Sequence, residues 1–474
     1  MDQDVARHLA AIVGADGVIA DEAARATYAC DAYTVDRAEP EVVVLPRTTE
    51  EVAEIIRLCN RLNVPFTPRG TGTGLSGGAT PLEGGIVIST VRMNRILSVD
   101  IPNRRLVAQA GCINLNVTKA VSGEGYHFAP DPSSQGACTI GGNVAENSGG
   151  PHTLKYGVTV NHITGLRMVL PSGDVVALGG PLEEIWGYDL VGLVVGAEGT
   201  LGIVTEVTVR LTPLPQAYRT LLAVFPSVEG CTNAVSQIIA AGIIPAALEM
   251  IDRLILNAIE DAFQLGLPRQ AEAVLIVEVD GFEPGLDAEA AEIQQICRAN
   301  GAVEVRSAAT AQARAQLWIA RKKGVGAAGR LAPSIVTQDG VIPRSKLPQV
   351  LQQIAAVAAR HRIRVCNIFH AGDGNLHPCV LFDERDPDEL QRVSAAGREI
   401  LELCVSVGGS VTGEHGVGVE KVNAMQLMYS GDDLEVMERI RRVFNPNNLC
   451  NPGKLLPSGR SCVEVKWKPK TAFV

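Results

Sequence analysis

Pro68-Arg69-Gly70-Thr71-Gly72-Thr73-Gly74-Leu75-Ser76-Gly77-Gly78 carries five glycines and three hydroxyl residues in eleven positions. Glycine adopts positive φ and lets successive N–H groups converge on one point. Such a nest suits a phosphate or pyrophosphate; a structural turn without a ligand is the competing reading. Gly72 to Gly77 also reads G-x-G-x-x-G, the dinucleotide fingerprint. That fingerprint must follow a strand and open a helix. Here residues 79–85 hold Pro81, Gly84 and Gly85 and cannot open one. Ile86-Val87-Ile88-Ser89 is a strand instead. The helix lies upstream, where Thr48 and Glu51 form a capping box. Val52, Ile55, Ile56, Cys59 and Leu62 then recur at helical spacing. The order is helix, strand (64–67), glycine loop, strand, which is not the Rossmann order.

Two further backbone-rich segments follow. One holds Pro130, Asp131, Thr139, Ile140, Gly141, Gly142, Asn143, Asn147, Gly149 and Gly150; the other holds Glu198, Gly199, Gly202 and Ile203. Three such segments exceed what a lone phosphate requires and suit a long ligand.

In this order and spacing the segments resemble the FAD-binding domain of the vanillyl-alcohol oxidase and p-cresol methylhydroxylase superfamily. The resemblance covers roughly residues 40 to 457. Motifs near the C-terminus narrow it to the D-2-hydroxyacid dehydrogenase branch, of the type of the FAD-carrying catalytic subunit of bacterial glycolate oxidase. It implies FAD held by the three segments, with Tyr156, Gly157 and Asn451 added. Some members bond a loop histidine to the flavin. Here Thr73 stands about where one is expected, so the cofactor is expected to be non-covalent FAD.

The chain has 474 residues, enough for two domains or more. A hydrophobic content of 46% and a charged content of 20% are those of an ordinary globular protein. A formal net charge of −10 argues against nucleic acid as partner. No run of eighteen apolar residues appears, so no transmembrane span is expected, and the first thirty residues lack a signal-peptide pattern. The eleven cysteines form no C-x-x-C pair. That excludes an encoded iron–sulfur or structural cysteine-held zinc site and suits free thiols in a cytoplasmic protein.

The expected fold class is α+β. Residues 1–40 read as a helical lead-in and 41–215 as the FAD-binding domain. A substrate (cap) domain with a metal site spans 216–420. Strands are expected there over 219–225, 273–280, 364–370 and 377–382. Helices are expected near 228–240, 285–299, 346–360 and 386–406, covering one side of the sheet. Residues 421–474 read as a helical C-terminal segment that, by the resemblance, returns to the FAD domain.

His370-Ala371-Gly372-Asp373-Gly374-Asn375-Leu376-His377 contains Asp-Gly, a two-residue hairpin signal. With that turn, His370 faces His377. Opposed residues point to one face, so two imidazoles there either share a divalent metal or are a polar sheet pair. Glu414-His415 lies among Gly413, Gly416 and Gly418. It either completes a His-His-Glu set with a neighbouring base or is an exposed turn pair. The resemblance assigns His370, His377 and Glu414 as metal ligands and His415 as catalytic base. Zinc is the first expectation, with manganese or iron open.

Leu317-Trp318-Ile319-Ala320-Arg321-Lys322-Lys323 is either a solvated helix face or, by resemblance, the place where Arg321 grips a substrate carboxylate. Relatives acting on a dicarboxylate carry a lysine just before the Asp-x-x-x-Pro segment. Here Ile335-Val336-Thr337-Gln338 precedes Asp339 with no cation, which favours a small monocarboxylate.

The implied activity is flavin-dependent oxidation of a small 2-hydroxy acid, glycolate and also D-lactate, to the 2-oxo acid. Hydride would pass from C2 to flavin N5, with a divalent metal and His415 as base. Because no cluster motif is present, the acceptor is expected elsewhere; the resemblance implies a second FAD-binding-type subunit and an iron–sulfur subunit. These partners would place a cytoplasmic chain peripherally at the inner membrane. The alternatives are a stand-alone D-lactate dehydrogenase and a non-catalytic flavoprotein subunit.

Overall fold

The computed structural model describes residues 3–180 and 187–457. Cys462 and the 458–474 end of the C-terminal segment lie outside the described residues.

Three main sheets organise the chain. The first carries the glycine loop. Val42–Val44 and Phe66–Arg69 flank Ile86–Ser89, and both run parallel to it. The crossover between the flanking strands is the helix Thr49–Leu62. Val52, Ile55, Ile56 and Cys59 seal that helix onto the sheet, while Leu62 at its end is exposed. Thr48 Oγ1 caps it through the Glu51 N–H. The reciprocal half of the expected box is different: Glu51 accepts from the Arg47 N–H at 2.6 Å. The following strand is Phe66–Arg69, two residues later than expected.

The second sheet has five antiparallel strands, with Ile203–Arg210 at its centre between Arg105–Gln109 and Ile163–Val169. The third has seven antiparallel strands. Its inner strands Ala273–Gly281 and Ala247–Asp252 are almost wholly buried, and Ala217–Phe225 is buried from Thr220 onward. This burial corrects the expectation of a sheet covered on one side. Leu221, Ala223 and Phe225 meet the helices Val228–Ala240, Glu283–Ala299, Leu347–His361 and Pro387–Ser406. Leu222 and Val224, on the other face, meet the helices Arg253–Phe263 and Ala311–Ala328. A strand sandwiched between helices needs apolar residues on both faces, so it shows a continuous run rather than alternation.

The lead-in is less helical than expected. After the helix Gln3–Val13, Val18–Ile19 joins the first sheet beside Val43 and Val44. Residues 29–41 then run without helix. At the other end, the helix Gly431–Phe444 is followed by a return to the first sheet. Phe66 donates to the Leu449 carbonyl, and Asn451 donates to the Phe66 carbonyl, both at 2.8 Å.

Candidate active site

The glycine loop leaves Arg69 and passes over the end of the first sheet. The backbone N–H groups from Thr71 to Gly77 find no acceptor among the described residues. Gly72 takes φ +74°, where a Cβ would also collide with the Arg69 guanidinium. A row of N–H groups without partners is a ready anion site, since each group left unpaired away from water is costly. The second segment meets the loop directly: a Cβ on Gly70 would strike Thr139. Thr139 Oγ1 in turn caps the helix Ile140–Glu146 through Gly142 N–H at 3.1 Å. The third segment closes from the other side, with Gly199 at φ +68° against Pro68.

These pieces line one cavity of about 490 Å³ that extends to Arg321, His370, His377, Glu414 and His415. A nest of unpaired N–H groups at one end and a polar cluster at the other fit an extended dinucleotide with a redox end. The residues present therefore fit FAD.

Not every expected cofactor residue faces the cavity. Pro68 to Leu75, Thr139, Gly141, Gly142, Asn143, Glu198, Gly199, Gly202 and Ile203 line it. Ser76, Gly77, Pro130, Asp131, Ile140, Asn147, Gly149, Gly150, Tyr156, Gly157 and Asn451 stand outside its lining. Each has another engagement. Ser76 Oγ donates to the His415 carbonyl at 2.8 Å. Gly77, at φ +80°, lies against Val419 and Tyr33. The Pro130 carbonyl accepts from Asn114 Nδ2 at 3.0 Å, and Ile140 is core. Asn147, in the left-handed region at the helix end, accepts from Val160 N–H at 2.9 Å. Gly149 lies against Thr153 and Glu414, Gly150 against the Asp131 backbone, and Gly157 against Asn161. Tyr156 Oη donates to Asp280 at 2.7 Å. Asn451 Nδ2 donates to the carbonyls of Gly78 and Glu198, tying the C-terminal return to two cavity segments.

At the far end, His370 Nε2 lies 3.1 Å and His377 Nε2 3.2 Å from the same oxygen of Glu414, Oε1. The hairpin between the two histidines has a different register from the expected one. His370 bridges Asn375, and Asn367 pairs with Pro378. The two-residue Asp-Gly turn needs positive φ at both positions. Gly374 has it at +81°, but Asp373 does not, and its carboxylate accepts from the Asn375 N–H instead. The loop is held by its surroundings: Ala371 and Gly372 both donate to the Leu248 carbonyl. The slip moves His377 diagonally rather than opposite. Side chains alternate faces with period two, so a shift of two keeps both imidazoles on one face. Their centroids are 5.1 Å apart. Two imidazoles and a carboxylate converging on one point are a donor set that fits a divalent metal.

His415 stacks on His377 with centroids 4.8 Å apart. Its Nδ1 is buried without a partner, and burial pulls the imidazole down to about 4. His370 goes the other way. Burial opposes its charge, but Glu249 and Glu414 outweigh burial and raise it to about 10. Glu414 is buried as well, yet His370 and His377 hold it well below the carboxylate range.

Arg321 is buried, not on a solvated helix face. It pairs with Glu249 and approaches His370 Nδ1 at 3.2 Å. Glu249 was not expected from the sequence; the only signal is an acid between the apolar residues Leu248 and Met250 of the strand Ala247–Asp252. Asp339 is the second unexpected organiser. Its Oδ2 accepts from the N–H groups of Gly413, Glu414 and His415 at 2.9–3.2 Å, and its Oδ1 from Asn375 Nδ2 at 2.9 Å. One carboxylate thus pins both glycine-rich loops of the cluster. Glu198 does the same from the flavin side, accepting from Val417 and Gly418 N–H at 2.6 and 2.7 Å. Asp31, from the irregular lead-in, also lines the cavity.

Residues 214–455 match the family described as FAD linked oxidases, C-terminal domain, and residues 40–179 match the FAD binding domain. The chain belongs to the FAD-linked oxidase family. It is 45% identical to the glycolate oxidase subunit GlcD of Escherichia coli K12 over 92% of this chain and 88% of that protein. It is 41% identical to the Bacillus subtilis protein of the same name, over 96% and 97%. A D-lactate dehydrogenase of Anaerostipes hadrus is 32% identical over 88% and 90%. The fold is that of p-cresol methylhydroxylase, with a TM-score of 0.81 at 17% identity over 95% of this chain and 96% of that one. This FAD-linked oxidase is therefore an FAD-dependent oxidoreductase. No helix among its described residues is long and apolar enough to cross a membrane.

Proposed function

We propose that this FAD-linked oxidase oxidises a small 2-hydroxy acid, glycolate and also D-lactate, to the 2-oxo acid. The observation that carries this reading is the meeting of Arg321, His370, His377, Glu414 and His415 in the cavity that begins at the glycine loop. The names of its relatives, glycolate oxidase subunit and D-lactate dehydrogenase, support it.

FAD, when bound, supplies the hydride acceptor, and a divalent metal supplies positive charge for the substrate hydroxyl. Residues 41–215 would hold the cofactor through the glycine loop and its two neighbours. His370, His377 and Glu414, in 216–420, would hold the metal, with zinc as the first choice. Residues 421–474 would close back on the cofactor part.

The chain's own contributions follow from its chemistry. Arg321 offers guanidinium N–H groups to the substrate carboxylate, a pairing that planar forks make well. His415 takes the hydroxyl proton on a ring nitrogen. Asp339 fixes the direction of both Glu414 and His415 through their backbone N–H groups. Among the described residues Arg69 and Arg321 are the arginines lining the cavity, which holds no lysine, and Arg69 sits at the glycine-loop end. The substrate end therefore has charge for one carboxylate.

FAD is held without a covalent bond, since Thr73 occupies the loop and the lining histidines are His370, His377 and His415. The reducing equivalents would leave to a second FAD-binding-type subunit and an iron–sulfur subunit. That assembly would be cytoplasmic and peripheral at the inner membrane. A stand-alone D-lactate dehydrogenase is the second reading, favoured by the relatives of that name. Anaerobic mixing of the purified flavoprotein with glycolate and D-lactate tests the proposal. Bleaching of flavin absorbance is expected; an unchanged spectrum with both acids refutes it.

A further inference from the structure

Glu249 stands in the middle of the strand Ala247–Asp252, directly across from His370 on the strand Arg364–His370. It is fully buried, and its chain neighbours Leu248 and Met250 are core residues. A carboxylate in such a place must be paired on both oxygens or carry a large desolvation penalty. Both oxygens are used, and by residues of different roles. Oε1 lies 2.8 Å from His370 Nδ1, and Oε2 accepts from Arg321 Nε. The guanidinium also lies beside the imidazole, with Nη2 3.2 Å from Nδ1, so that both donors converge on one carboxylate. The three side chains form one closed triangle.

We infer that Glu249 is the positioning residue that locks the metal-binding end of the site to its carboxylate-binding end. This rests on the metal and carboxylate roles proposed above for His370 and Arg321. A hydrogen bond from Nδ1–H to Glu249 fixes the orientation of the His370 ring and makes Nε2, turned toward Glu414 Oε1, the atom that would offer its lone pair to a metal once its proton is displaced. A carboxylate behind a ligating histidine sets its orientation and raises its basicity. The same carboxylate occupies Nε of Arg321 and so fixes which guanidinium edge is left for a substrate. Because one rigid group holds both anchors, their separation is set by the protein before any substrate enters. A fixed, short separation suits a hydroxyl on the carbon next to the carboxylate. It works against a hydroxyl one carbon further away. Glu249 is therefore the residue that makes the site one for 2-hydroxy rather than 3-hydroxy acids.

Two variants of the full-length flavoprotein test this. Glu249→Gln keeps the shape and removes the charge; Glu249→Asp keeps the charge and withdraws it by one methylene. The first readout is Zn²⁺ affinity, measured on metal-stripped protein with a competing chelator. The second is KM and kcat for glycolate at saturating Zn²⁺, with 3-hydroxypropionate as the comparison acid. E249Q is expected to bind Zn²⁺ about 10–100-fold more weakly while holding FAD normally. At saturating Zn²⁺ its KM for glycolate should rise more than its kcat falls, and its preference for glycolate over 3-hydroxypropionate should shrink. E249D should recover Zn²⁺ affinity toward wild type but keep a raised KM, because the shorter arm cannot reach both partners.

Zn²⁺ affinity and KM within twofold of wild type in E249Q overturn the inference. So do defects of E249D as large as those of E249Q, which would mark a merely structural role. If E249Q does not fold, wild-type Zn²⁺ affinity and KM in E249D overturn it. Wild-type protein that takes up no Zn²⁺ sinks the metal reading and this inference together. Wild-type protein that takes up Zn²⁺ as tightly as E249Q sinks this inference alone.

Discussion

His377 and His415 stack face to face, with ring centroids 4.8 Å apart and planes within 4° of parallel. Their nitrogens nevertheless have different company. His377 Nε2 approaches Glu414 Oε1, whereas His415 Nδ1 has no partner. His377→Ala is therefore expected to strip the metal and leave FAD in place, because none of the glycine segments depends on it. His415→Ala is expected to keep both metal and FAD and to lower the rate by ~10²–10⁴-fold, the usual cost of losing a positioned general base. Metal analysis of the two purified variants, beside their flavin spectra, separates these outcomes. Metal lost from His415→Ala and kept in His377→Ala would reverse the two assignments.

The absence of a histidine among Arg69 to Gly78 makes a second expectation direct. Acid precipitation of the flavoprotein should leave the yellow colour in the supernatant. Colour carried down in the pellet would mean a covalent bond from some other residue and would refute the non-covalent reading.

Stability should depend on pH through His152. Burial disfavours its charge, but Asp131, 2.9 Å from Nδ1, and Glu278 outweigh burial and raise it to about 10. Because the folded value lies above the ordinary histidine value of about 6.5, the stabilisation is full below about pH 6.5. It fades as pH rises toward 10. Each unit is worth about 1.4 kcal/mol, so about 1–3 kcal/mol is expected to be lost between pH 6.5 and 8.5. Denaturation midpoints across that range should fall for the wild type. In His152→Gln, which cannot titrate, the slope should be much flatter. Equal slopes in the two proteins would remove His152 from the account.

The parts of the fold that were legible in the sequence are those with local causes. The helix Thr49–Leu62 announces itself by capping and periodicity, and the glycine loop by its composition. Strand Arg364–His370 and helix Pro387–Ser406 fall where apolar patterning put them. What escaped depends on partners far along the chain. The His370–His377 register is decided by the Leu248 carbonyl rather than by the Asp-Gly signal. Glu249 and Asp339 were invisible as organisers because a buried carboxylate looks like any other acid until its donors are known. Those donors lie at His370 and Arg321, and at Asn375 and Gly413 to His415. In the second layer of helices on the large sheet, Arg253–Phe263 carries Ile255, Leu256 and Ile259 at helical spacing, whereas Ala311–Ala328 buries mainly small residues, with Ala320, Ala327 and Ala328 in the core. Such residues give a weak periodic signal.

The sharpest expectation concerns handedness and size. With the carboxylate held by Arg321, the hydroxyl directed toward His370, His377 and Glu414, and the C2 hydrogen required to face the flavin, three points of a 2-hydroxy acid are fixed. Three fixed points admit one hand at C2, and the function proposed above takes that hand to be D. Val325 and Thr337 also line the cavity, and among the described residues its lining holds no Lys and no Arg besides Arg69 and Arg321. Gln338, the other residue before Asp339, is turned away to Glu420 at 3.0 Å. A second carboxylate there would be buried without a partner, which is costly. Glycolate and D-lactate should therefore reduce the flavin quickly, L-lactate should not, and D-2-hydroxyglutarate should do so poorly. Arg321→Lys should weaken both good substrates, because one ammonium cannot hold Glu249 and also present two parallel N–H groups to a carboxylate. Stopped-flow traces of flavin absorbance under anaerobic conditions measure all four acids directly. L-lactate as fast as D-lactate would defeat the three-point geometry. D-2-hydroxyglutarate as the best substrate would defeat the size argument alone, leaving the geometry standing.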